Sequence, residues 1–567
     1  MNLCLVSIRV HVYNGVVRRW GLLTLLVGST LTFVLLSAGT EPDPPFAEAV
    51  ASITSAELQS DLYFLASDEM QGRAINTPFN DIAALYLAHR FQSMGLQPVE
   101  DGAHFQYFTL VHAKLGKRNR LRIRHSNSSF PITGTLKKDY FPSPLSAEGS
   151  VTAPLVFAGY GITAPEHDYD DYQELAAHQK IVVVMRHEPG ENDSQSPFDG
   201  LLDSKYSEDF RKILNAQDHG AAGVILVPDT ANHSRRSDFS RRAKSVWPED
   251  PSQHVYALKI WTERIRIPVL FSSAKFANRL LDASRSELDE IQKKIDQQHR
   301  PHSFEVSGVK ATLEASLTRE QTRVRNVLAY LPGSDPKLKE EVVIVSAHFD
   351  HVGSRDGEIF NGADDDGSGT VGLLEVAQAY SLSPERPKRS LLFAAWNAEE
   401  HGLLGSRYYV QTPLFPLAKT VAVFQMDMIG RNEEIPDSTN PRFHGLEKQT
   451  AAENTNSVNI LGYTRSNDLR DLVAASNEYV GLEVKFRYDN NSGNLLRRSD
   501  NWPFLVSGVP ALFFHTGLHP DYHQPTDTPE KINYAKLEKV VRLVFLSSWN
   551  AANTQEAPRL NTENRDK

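Results

Sequence analysis

One stretch decides the fold, residues 342–370, which reads VVIVSAHFDHVGSRDGEIFNGADDDGSGT. It begins as an apolar, β-branched run that predicts a buried strand and ends in a glycine-rich loop that leads into a helix. His348 and Asp350 stand at the strand's end, and the loop carries Asp364, Asp365 and Asp366. Unpaired charge beside a buried strand is costly. We therefore expect a cation at this place, and a metal ion first of all.

Length and composition set the broad class. The chain has 567 residues, of which 40% are hydrophobic and 23% charged, as in soluble globular proteins of two or more domains. Its net charge of −10 argues against nucleic acid or an anionic membrane as the main partner. The only cysteine is Cys4, so we expect no disulfide.

The N-terminus has the pattern of a secretory signal. Arg18 and Arg19 precede an apolar run over residues 21–36, and small residues up to Gly39 follow it. We predict a signal peptide over residues 1–39 and a secreted, periplasmic or cell-envelope protein. The alternative is that the segment stays uncleaved as a single-pass membrane anchor, because the run approaches the length of a spanning helix.

Two regions follow the signal. Residues 40–115 are predicted to hold amphipathic helices, one with Ser55 as its N-cap. Residues 116–304 are rich in short strands and loops, and residues 210–229 read as helix, turn at Gly220 and buried strand. This series resembles the protease-associated domain, a module inserted in secreted and vacuolar peptidases. The resemblance implies that the insert shapes access to a neighbouring active site or mediates contacts.

Residues 305–550 alternate apolar strands with helices, and we predict a disordered tail over residues 551–567. The alternation predicts an α/β fold with a mainly parallel sheet covered by helices on both faces. The predicted strands are 342–346, 391–395, 421–426 and 510–514, and the predicted helices include 370–380, 404–410, 468–479 and 535–550.

Acids and imidazoles follow the strands of this region. Ligands of open α/β sheets bind beyond the carboxyl ends of the strands, so these side chains should meet at one edge. They are His348, Asp350, Glu399, Glu400, Asp427, His515, His519 and His523. Two imidazoles and three or four carboxylates drawn from this list would suit zinc as ligands, and also manganese or cobalt. Because this set exceeds the needs of one tetrahedral zinc, two metals ~3.5–4 Å apart with a bridging carboxylate account for it better.

Each signal has a simpler interpretation when taken alone. Three aspartates in a glycine loop are usually a solvated turn or a calcium site. The Glu399 and Glu400 pair alone would fit an acidic helix start. The joint position of these groups at strand ends favours the metal site.

Five motifs give a specific resemblance. They are SAHFDHVG at 346–353, NGADDDGSGT at 361–370, WNAEEHGLLGS at 396–406, FQMDMIG at 424–430 and HPDYHQPTDTPEKIN at 519–533. In this order they resemble the zinc-dependent exopeptidases of peptidase family M28, a group that includes secreted bacterial aminopeptidases and, more distantly, glutamate carboxypeptidase. The resemblance implies that residues 305–550 are the catalytic domain, with residues 40–115 as its first segment.

The resemblance also implies a ligand set for two Zn²⁺ ions. His348, Asp364 and Asp427 would hold one ion, and Asp364, Glu400 and His523 the other. Asp364 would be the bridge, followed by a cis peptide bond to Asp365, while Asp365 and Asp366 themselves would not ligate.

Further roles follow from the same resemblance. Glu399 would be the general base for a water activated by the two zinc ions. Asp350 would accept the second ring N–H of His348, and Tyr522 would donate to the developing oxyanion. The remaining histidines are expected to line or support the site without ligating: His351, His401, His515 and His519.

The implied function is an aminopeptidase that acts on peptides, without nucleic acid and without stable membrane contact unless the N-terminal segment is retained. A carboxypeptidase or dipeptidase is the alternative, for which Arg497 and Arg498 would pair with a substrate carboxylate. Relatives often carry histidine where Asn501 follows Asp500, which leaves recognition of the substrate end open. A non-catalytic, receptor-like binding protein and a one-metal glutaminyl cyclase are more distant alternatives, which the complete ligand set and Glu399 disfavour.

Overall fold

The structure is a computed structural model that describes residues 46–561, except 101, 194, 199, 201–203, 231–238, 251–253, 283–286 and 438. The predicted signal peptide and Cys4 lie outside the described residues. Within the described part of the chain, no helix combines the length and the apolar character needed to cross a membrane.

The described chain contains strands and helices throughout. The strands are β1 Phe105–Leu115, β2 Arg120–His125, β3 Ile132–Thr133, β4 Tyr140–Pro142, β5 Gly149–Ala158, β6 Thr163–Ala164, β7 Tyr169–Asp170, β8 Ile181–Met185, β9 Gly223–Val227, β10 Tyr256–Leu258, β11 Val269–Ser272, β12 Ser303–Ala315, β13 Leu317–Leu331, β14 Val342–His348, β15 Ser354–Arg355, β16 Glu358–Ile359, β17 Ser390–Trp396, β18 Thr420–Met426, β19 Ser457–Leu461, β20 Glu483–Phe486 and β21 Ala511–His515. The helices are α1 Ala47–Ser52, α2 Ser55–Leu65, α3 Pro78–Ser93, α4 Asp209–Asp218, α5 Phe239–Val246, α6 Lys259–Arg264, α7 Ala274–Leu281, α8 Leu288–Gln298, α9 Gly369–Leu382, α10 Leu404–Gln411, α11 Asn467–Asn477, α12 Asn501–Leu505 and α13 Tyr534–Asn553.

The first large sheet carries the predicted α/β core. Its order is β10-β1-β13-β17-β14-β18-β21-β19-β20. The pairs β17–β14, β14–β18 and β18–β21 are parallel, and the strands from β10 to β17 pair antiparallel. The α/β prediction is confirmed, but the sheet is mixed and not mainly parallel, because β19 pairs antiparallel with β21 and parallel with β20, which makes four pairs of each kind. The parallel strands form the centre, where every residue of β14, β17 and β18 is buried, as their unbroken apolar runs require.

Helices cover both faces of this sheet. Val343 and Val345 of β14 pack in a cluster with α1, α2, α3, α9 and α13. Val342 and Ile344, which point the other way, pack with Tyr409 of α10 and Phe504 of α12. Alternate residues of one strand therefore serve two helical layers. The N-cap of α2 is Thr54 and not the predicted Ser55, because the Thr54 side chain accepts the Glu57 N–H.

The second large sheet has the order β3-β2-β12-β5-β8-β9-β11-β4, and β5, β8, β9 and β11 run parallel within it. The predicted helix, turn and strand are present as α4, Gly220 at φ 77° and β9. The predicted boundary at residue 304 falls inside β12, which stays in this sheet to Ala315. In contrast, β10 lies within the predicted insert but pairs with β1 of the first sheet.

The predicted tail is ordered as far as it is described. Residues 551–553 continue α13, and the Asn561 backbone N–H donates to the Arg465 carbonyl at 2.8 Å. Ser466 Oγ donates to the Arg559 carbonyl at 2.7 Å. These contacts hold residues 554–561 beside the start of α11, so the prediction of disorder is wrong up to residue 561.

Candidate metal centre and active site

The carboxyl ends of the central strands bring the acids and imidazoles together. His348 is the last residue of β14, Asp427 directly follows β18, and Glu399 and Glu400 follow β17 by three and four residues. His523 arrives on the loop after β21. Parallel strands end at one edge of a sheet, which is why residues far apart in sequence meet here.

Asp365 lies between two clusters of ligand-type atoms. Its Oδ1 is 3.3 Å from His348 Nε2, and that nitrogen is 3.6 Å from Asp427 Oδ2. Its Oδ2 is 2.8 Å from His523 Nε2, which is 3.1 Å from Glu400 Oε2. Two groups in which one atom per residue converges meet at this edge of the sheet: His348, Asp365 and Asp427, and His351, Asp365, Glu400 and His523. Asp365 is the residue that the two groups share.

Asp364, the predicted bridge, points elsewhere. Its Oδ1 accepts the Gly430 N–H at 2.7 Å, and its Oδ2 lies 3.2 Å from His519 Nε2. The cis peptide bond joins Asp365 and Asp366, one residue later than expected. The assignment failed because three identical side chains follow one another, and their spacing does not show which one faces the site.

Asp366 holds the backbone around the site. Its carboxylate accepts the backbone N–H groups of His348 at 3.1 Å, Gly369 at 2.9 Å and Met428 at 3.2 Å. It thus ties the end of β14 to the start of α9 and to the loop after β18. Asp366 was expected not to ligate, and it belongs to neither convergent group.

Arg73 reaches the same loops from the other side. Its buried guanidinium donates to four backbone carbonyls, those of Leu65, Phe349, Asn361 and Gly362, at 2.7–3.0 Å. Sequence reasoning missed this residue, because it lies more than 270 positions from the loops that it supports.

Asp527 supports the bridge position itself. Its Oδ2 accepts the backbone N–H groups of Asp364 at 3.0 Å and Asp365 at 3.2 Å. The residue stands in the motif at 519–533, so its position among the other motifs was a signal that could have identified it.

Asp350 contacts His348 differently from the prediction. The ring Nδ1 of His348 lies 3.1 Å from the backbone carbonyl of Asp350, and 3.8 Å from its carboxylate. The carboxylate instead accepts the N–H groups of Glu399 at 3.0 Å and Glu400 at 3.4 Å. The backbone of Asp350 therefore directs His348 Nε2 towards the acids, and its side chain holds the turn that carries both glutamates.

Glu399 and Tyr522 line one cavity of about 40 Å³. Glu399 Oε2 lies 3.8 Å from His348 Nε2, and the residue belongs to neither convergent group. Burial raises the pKa of Glu399 well above its usual range, and the nearby carboxylates of Glu400 and Asp427 add to this. The remaining lining residues are Asp365, Asp427, Met428, Leu495, Arg498, Phe513, His515, Leu518 and His523.

The other histidines divide into two kinds. His351, expected only to line the site, places Nδ1 2.7 Å from Glu400 Oε1 and joins the second group. The other three stay outside both groups: His515 contacts the Asp427 carbonyl through Nδ1 at 3.0 Å, His519 contacts Asp364, and the ring of His401 lies 5.0 Å from that of Tyr256.

The donor set fits divalent metal ions. His348 Nε2 is buried and makes no hydrogen bond of good geometry, although three carboxylates lie within 3.8 Å of it. Burial alone would lower the pKa of His523, but Glu400 and Asp365 raise it to about 11. So many buried acids around the three imidazoles of His348, His351 and His523 require positive charge, and N and O donors of this kind suit zinc.

Comparisons with known proteins found one matching family model and several similar proteins. The model of peptidase family M28 matches residues 326–547. Leupeptin-inactivating enzyme 1 of Streptomyces exfoliatus is 29% identical over 40% of this chain and 41% of its own length. Aminopeptidase YwaD of Bacillus subtilis is 28% identical over 44% of this chain and 49% of its own length. A glutamate carboxypeptidase 2 homolog of Caenorhabditis briggsae is 26% identical over 57% of this chain and 46% of its own length.

The chain spans about half the length of these curated relatives. The solved aminopeptidase from Aneurinibacillus sp. strain AM-1 is 21% identical with a TM-score of 0.47, over 91% of this chain and 97% of its own. The matched segment contains β14, β17, β18 and β21 with every ligand-type residue of the two convergent groups. Residues 326–547 of this chain therefore match the model of peptidase family M28.

Proposed function

We propose that this protein is a zinc-dependent metallo-exopeptidase that acts as an aminopeptidase. The observation that carries the proposal is the position of Asp365, whose two carboxylate oxygens face two different groups of imidazole and carboxylate ligands. A shared carboxylate of this kind is the expected centre of a two-metal hydrolytic site.

The proposed ligands are His348, Asp365 and Asp427 for one zinc ion, and Asp365, Glu400 and His523 for the other. His351 contacts Glu400 and holds it towards the second ion. When bound, the two ions supply the Lewis acidity that amide hydrolysis needs at neutral pH.

Glu399 is the proposed general base. It lines the cavity beside both groups without belonging to either, so its side chain can face the reacting water, and the charge of two bound zinc ions would oppose its raised pKa and favour the carboxylate. It takes a proton from the attacking water and delivers it to the leaving amine. Asp350 positions it, through the hydrogen bond from the Glu399 N–H to the Asp350 carboxylate.

Tyr522 is the proposed donor to the tetrahedral intermediate. It lines the same cavity as Glu399, and its ring lies 4.0 Å from that of His523. Burial raises the pKa of Tyr522 well above its usual range, so its phenol keeps the proton that it donates.

Two features bear on which end of the substrate is recognised. Glu399 lines the cavity and is the one of its acids that is not a proposed metal ligand, so it would suit a substrate ammonium group. Arg498 lines it as well, with Nη2 donating to the Gly493 carbonyl at 2.6 Å, and would suit a substrate carboxylate. The relatives named aminopeptidase and glutamate carboxypeptidase represent the two alternatives. We favour the aminopeptidase because Glu399 is not a proposed metal ligand and faces the cavity, whereas Arg498 already donates to the Gly493 carbonyl.

The test is hydrolysis of one peptide series in free, N-acetylated and C-amidated forms by the zinc-loaded protein. We expect N-acetylation to abolish cleavage and C-amidation to leave it unchanged. The reverse pattern would establish a carboxypeptidase. Absence of cleavage in all three forms by protein that holds its zinc would refute the enzyme and favour a binding protein.

Export is part of the same proposal. The basic, apolar and small-residue pattern of residues 1–39 supports secretion or residence in the cell envelope. Fractionation of the producing cell, with N-terminal sequencing of the mature protein, distinguishes a cleaved signal from a retained anchor.

A further inference from the structure

A second place in the molecule joins imidazole and carboxylate, at the carboxyl edge of the second sheet. His187, Glu191 and Asp229 each offer one ligand-type atom to a common point. β8 and β9 are parallel there, and Met185 pairs with Val227. His187 and Asp229 each lie two residues beyond this pair, so the register of the sheet brings them side by side.

The spacing of these atoms suits a metal ion. His187 Nδ1 is 3.5 Å from Glu191 Oε2 and 3.7 Å from Asp229 Oδ2. Ligands at the usual zinc bond lengths in a tetrahedral site stand about 3.3–3.4 Å apart. The separations in the catalytic groups, such as 3.6 Å from His348 to Asp427, are of the same size.

The neighbours of the cluster hold its carboxylates in place. The second oxygen of Asp229, Oδ1, accepts a hydrogen bond from Gln292 Nε2, which leaves Oδ2 directed towards His187. Such outer hydrogen bonds are usual behind metal ligands. The charge of Arg497 lies near Glu191. Both acidic side chains are buried, whereas that of His187 is 21% exposed.

A cavity of about 860 Å³ opens onto the cluster. His187 and Asp229 line it, together with the basic residues Arg186, Arg241, Arg242 and Lys275. A water molecule or a small anion would complete the coordination of an ion bound here. Three protein ligands with a water molecule in the fourth position are a usual coordination of zinc.

We propose that His187, Glu191 and Asp229 form a further binding site for zinc or a similar divalent transition metal, separate from the catalytic centre. One imidazole with two carboxylates favours zinc over calcium, which prefers oxygen ligands alone. The inference does not depend on the proposed peptidase activity, because none of the three residues lines the catalytic cavity.

The experiment measures zinc per chain in the full-length protein. The protein is stripped with a chelator, reloaded with Zn²⁺ and desalted, and zinc is then counted by atomic absorption. We expect His187→Ala and Asp229→Asn each to bind one equivalent less than wild type. His125→Ala, at the end of β2 in the same sheet, is the matched control and should bind as much as wild type. Equal zinc in His187→Ala and the control would overturn the proposal in favour of a simple ion pair.

Two further measurements keep the test decisive. Glu191→Gln conserves volume and should also lose one equivalent, with circular dichroism reporting whether each variant folds. In an Asp365→Asn background, whose catalytic zinc is expected to be lost, one equivalent should remain and should disappear when His187→Ala is added. Absence of any zinc in the Asp365→Asn protein would overturn the inference. Its presence would support the inference even if the protein cleaved no peptide.

Discussion

The two large sheets place similar chemistry at the same kind of edge, yet they enclose it differently. In both, imidazole and carboxylate groups follow neighbouring parallel strands. In the first sheet the groups are surrounded by buried partners, among them Arg73, Asp366 and Asp527. In the second, His187 is partly exposed and faces an open cavity. If both places bind metal as proposed, strand order brings the ligands together in each, and the surrounding loops make the first site more enclosed than the second.

The sharpest test of the fixed centre compares two adjacent aspartates. Asp365→Asn should lose the bound zinc and lower activity by far more than about 100-fold, because it removes the oxygen that both groups share. Asp364→Asn should keep the zinc and lose about 10–100-fold, the usual effect of removing an outer partner. Zinc content and kcat/KM are measured together. If the two variants lose equal amounts of zinc, the proposal that Asp365 is the bridging ligand and Asp364 only a supporting residue is wrong.

Glu399→Gln tests the chemistry separately from the metal. We expect zinc content to match wild type and kcat to fall by ~10²–10⁴-fold, the contribution of a positioned general base. The reason is that Glu399 belongs to neither ligand group. Loss of zinc in this variant would make Glu399 a ligand, and unchanged turnover would exclude it as the base.

Sequence alone predicted the groups that depend on strand ends. The apolar runs correctly predicted the strand ends, and the acids and imidazole expected there are found there: His348, Glu399, Glu400 and Asp427. The reason is that the end of a strand fixes the position of the residues that follow it. The sequence could not show that Asp365, and not Asp364, faces both groups of ligand-type atoms, because this depends on the backbone path through a loop of three successive aspartates.

Long-range partners and sheet edges were also beyond reach. Arg73 contacts loops more than 270 residues away, and no local pattern identifies such a contact. Likewise β10 is a strand of three residues inside the predicted insert, yet it pairs with the first sheet. Tertiary packing decides which strand a short strand pairs with, and the pattern of apolar residues in the sequence does not predict that partner.

Arg73 offers a test of how firmly the first edge is held. Arg73→Met would leave four buried carbonyls without their donor, and should lower the free energy of unfolding by roughly 3–5 kcal/mol. The matched variant in the second sheet is Arg186→Met, whose guanidinium pairs with Asp209 at 2.9 Å and is partly exposed. That change should cost less than about 1 kcal/mol. Urea unfolding, followed by tryptophan fluorescence, measures the free energy of unfolding of both variants. Similar losses of stability would contradict the inference that the edge of the first sheet is more enclosed than that of the second.

The helical layer behind the first sheet contains a buried acid whose titration should be measurable. Glu375 of α9 is 1% exposed, and neither carboxylate oxygen makes a hydrogen bond of good geometry. Burial raises the pKa of Glu375 to about 8, with further increases from the charges of Glu57 and Asp61 and an opposing effect of Arg90.

The sign of the effect follows from proton binding. The folded chain binds the Glu375 proton more tightly than the unfolded chain, whose glutamate titrates near 4.5. The stabilising contribution is therefore complete below pH 4.5 and is lost as pH rises through about 8. Glu375→Gln cannot ionise, so at pH 9 it should be more stable than wild type by about 1–3 kcal/mol, the usual cost of a buried unpaired polar group. Near pH 4.5 the difference should vanish.

Unfolding curves of wild type, Glu375→Gln and the exposed control Glu478→Gln across pH 4.5–9 separate this group from the acids of the metal centre, which are common to all three proteins. A stability difference that stays constant with pH would mean that Glu375 is already ionised in the folded chain. The helical layer would then tolerate a buried charge with no ion bound to it, and burial alone would not distinguish the metal centre from its surroundings.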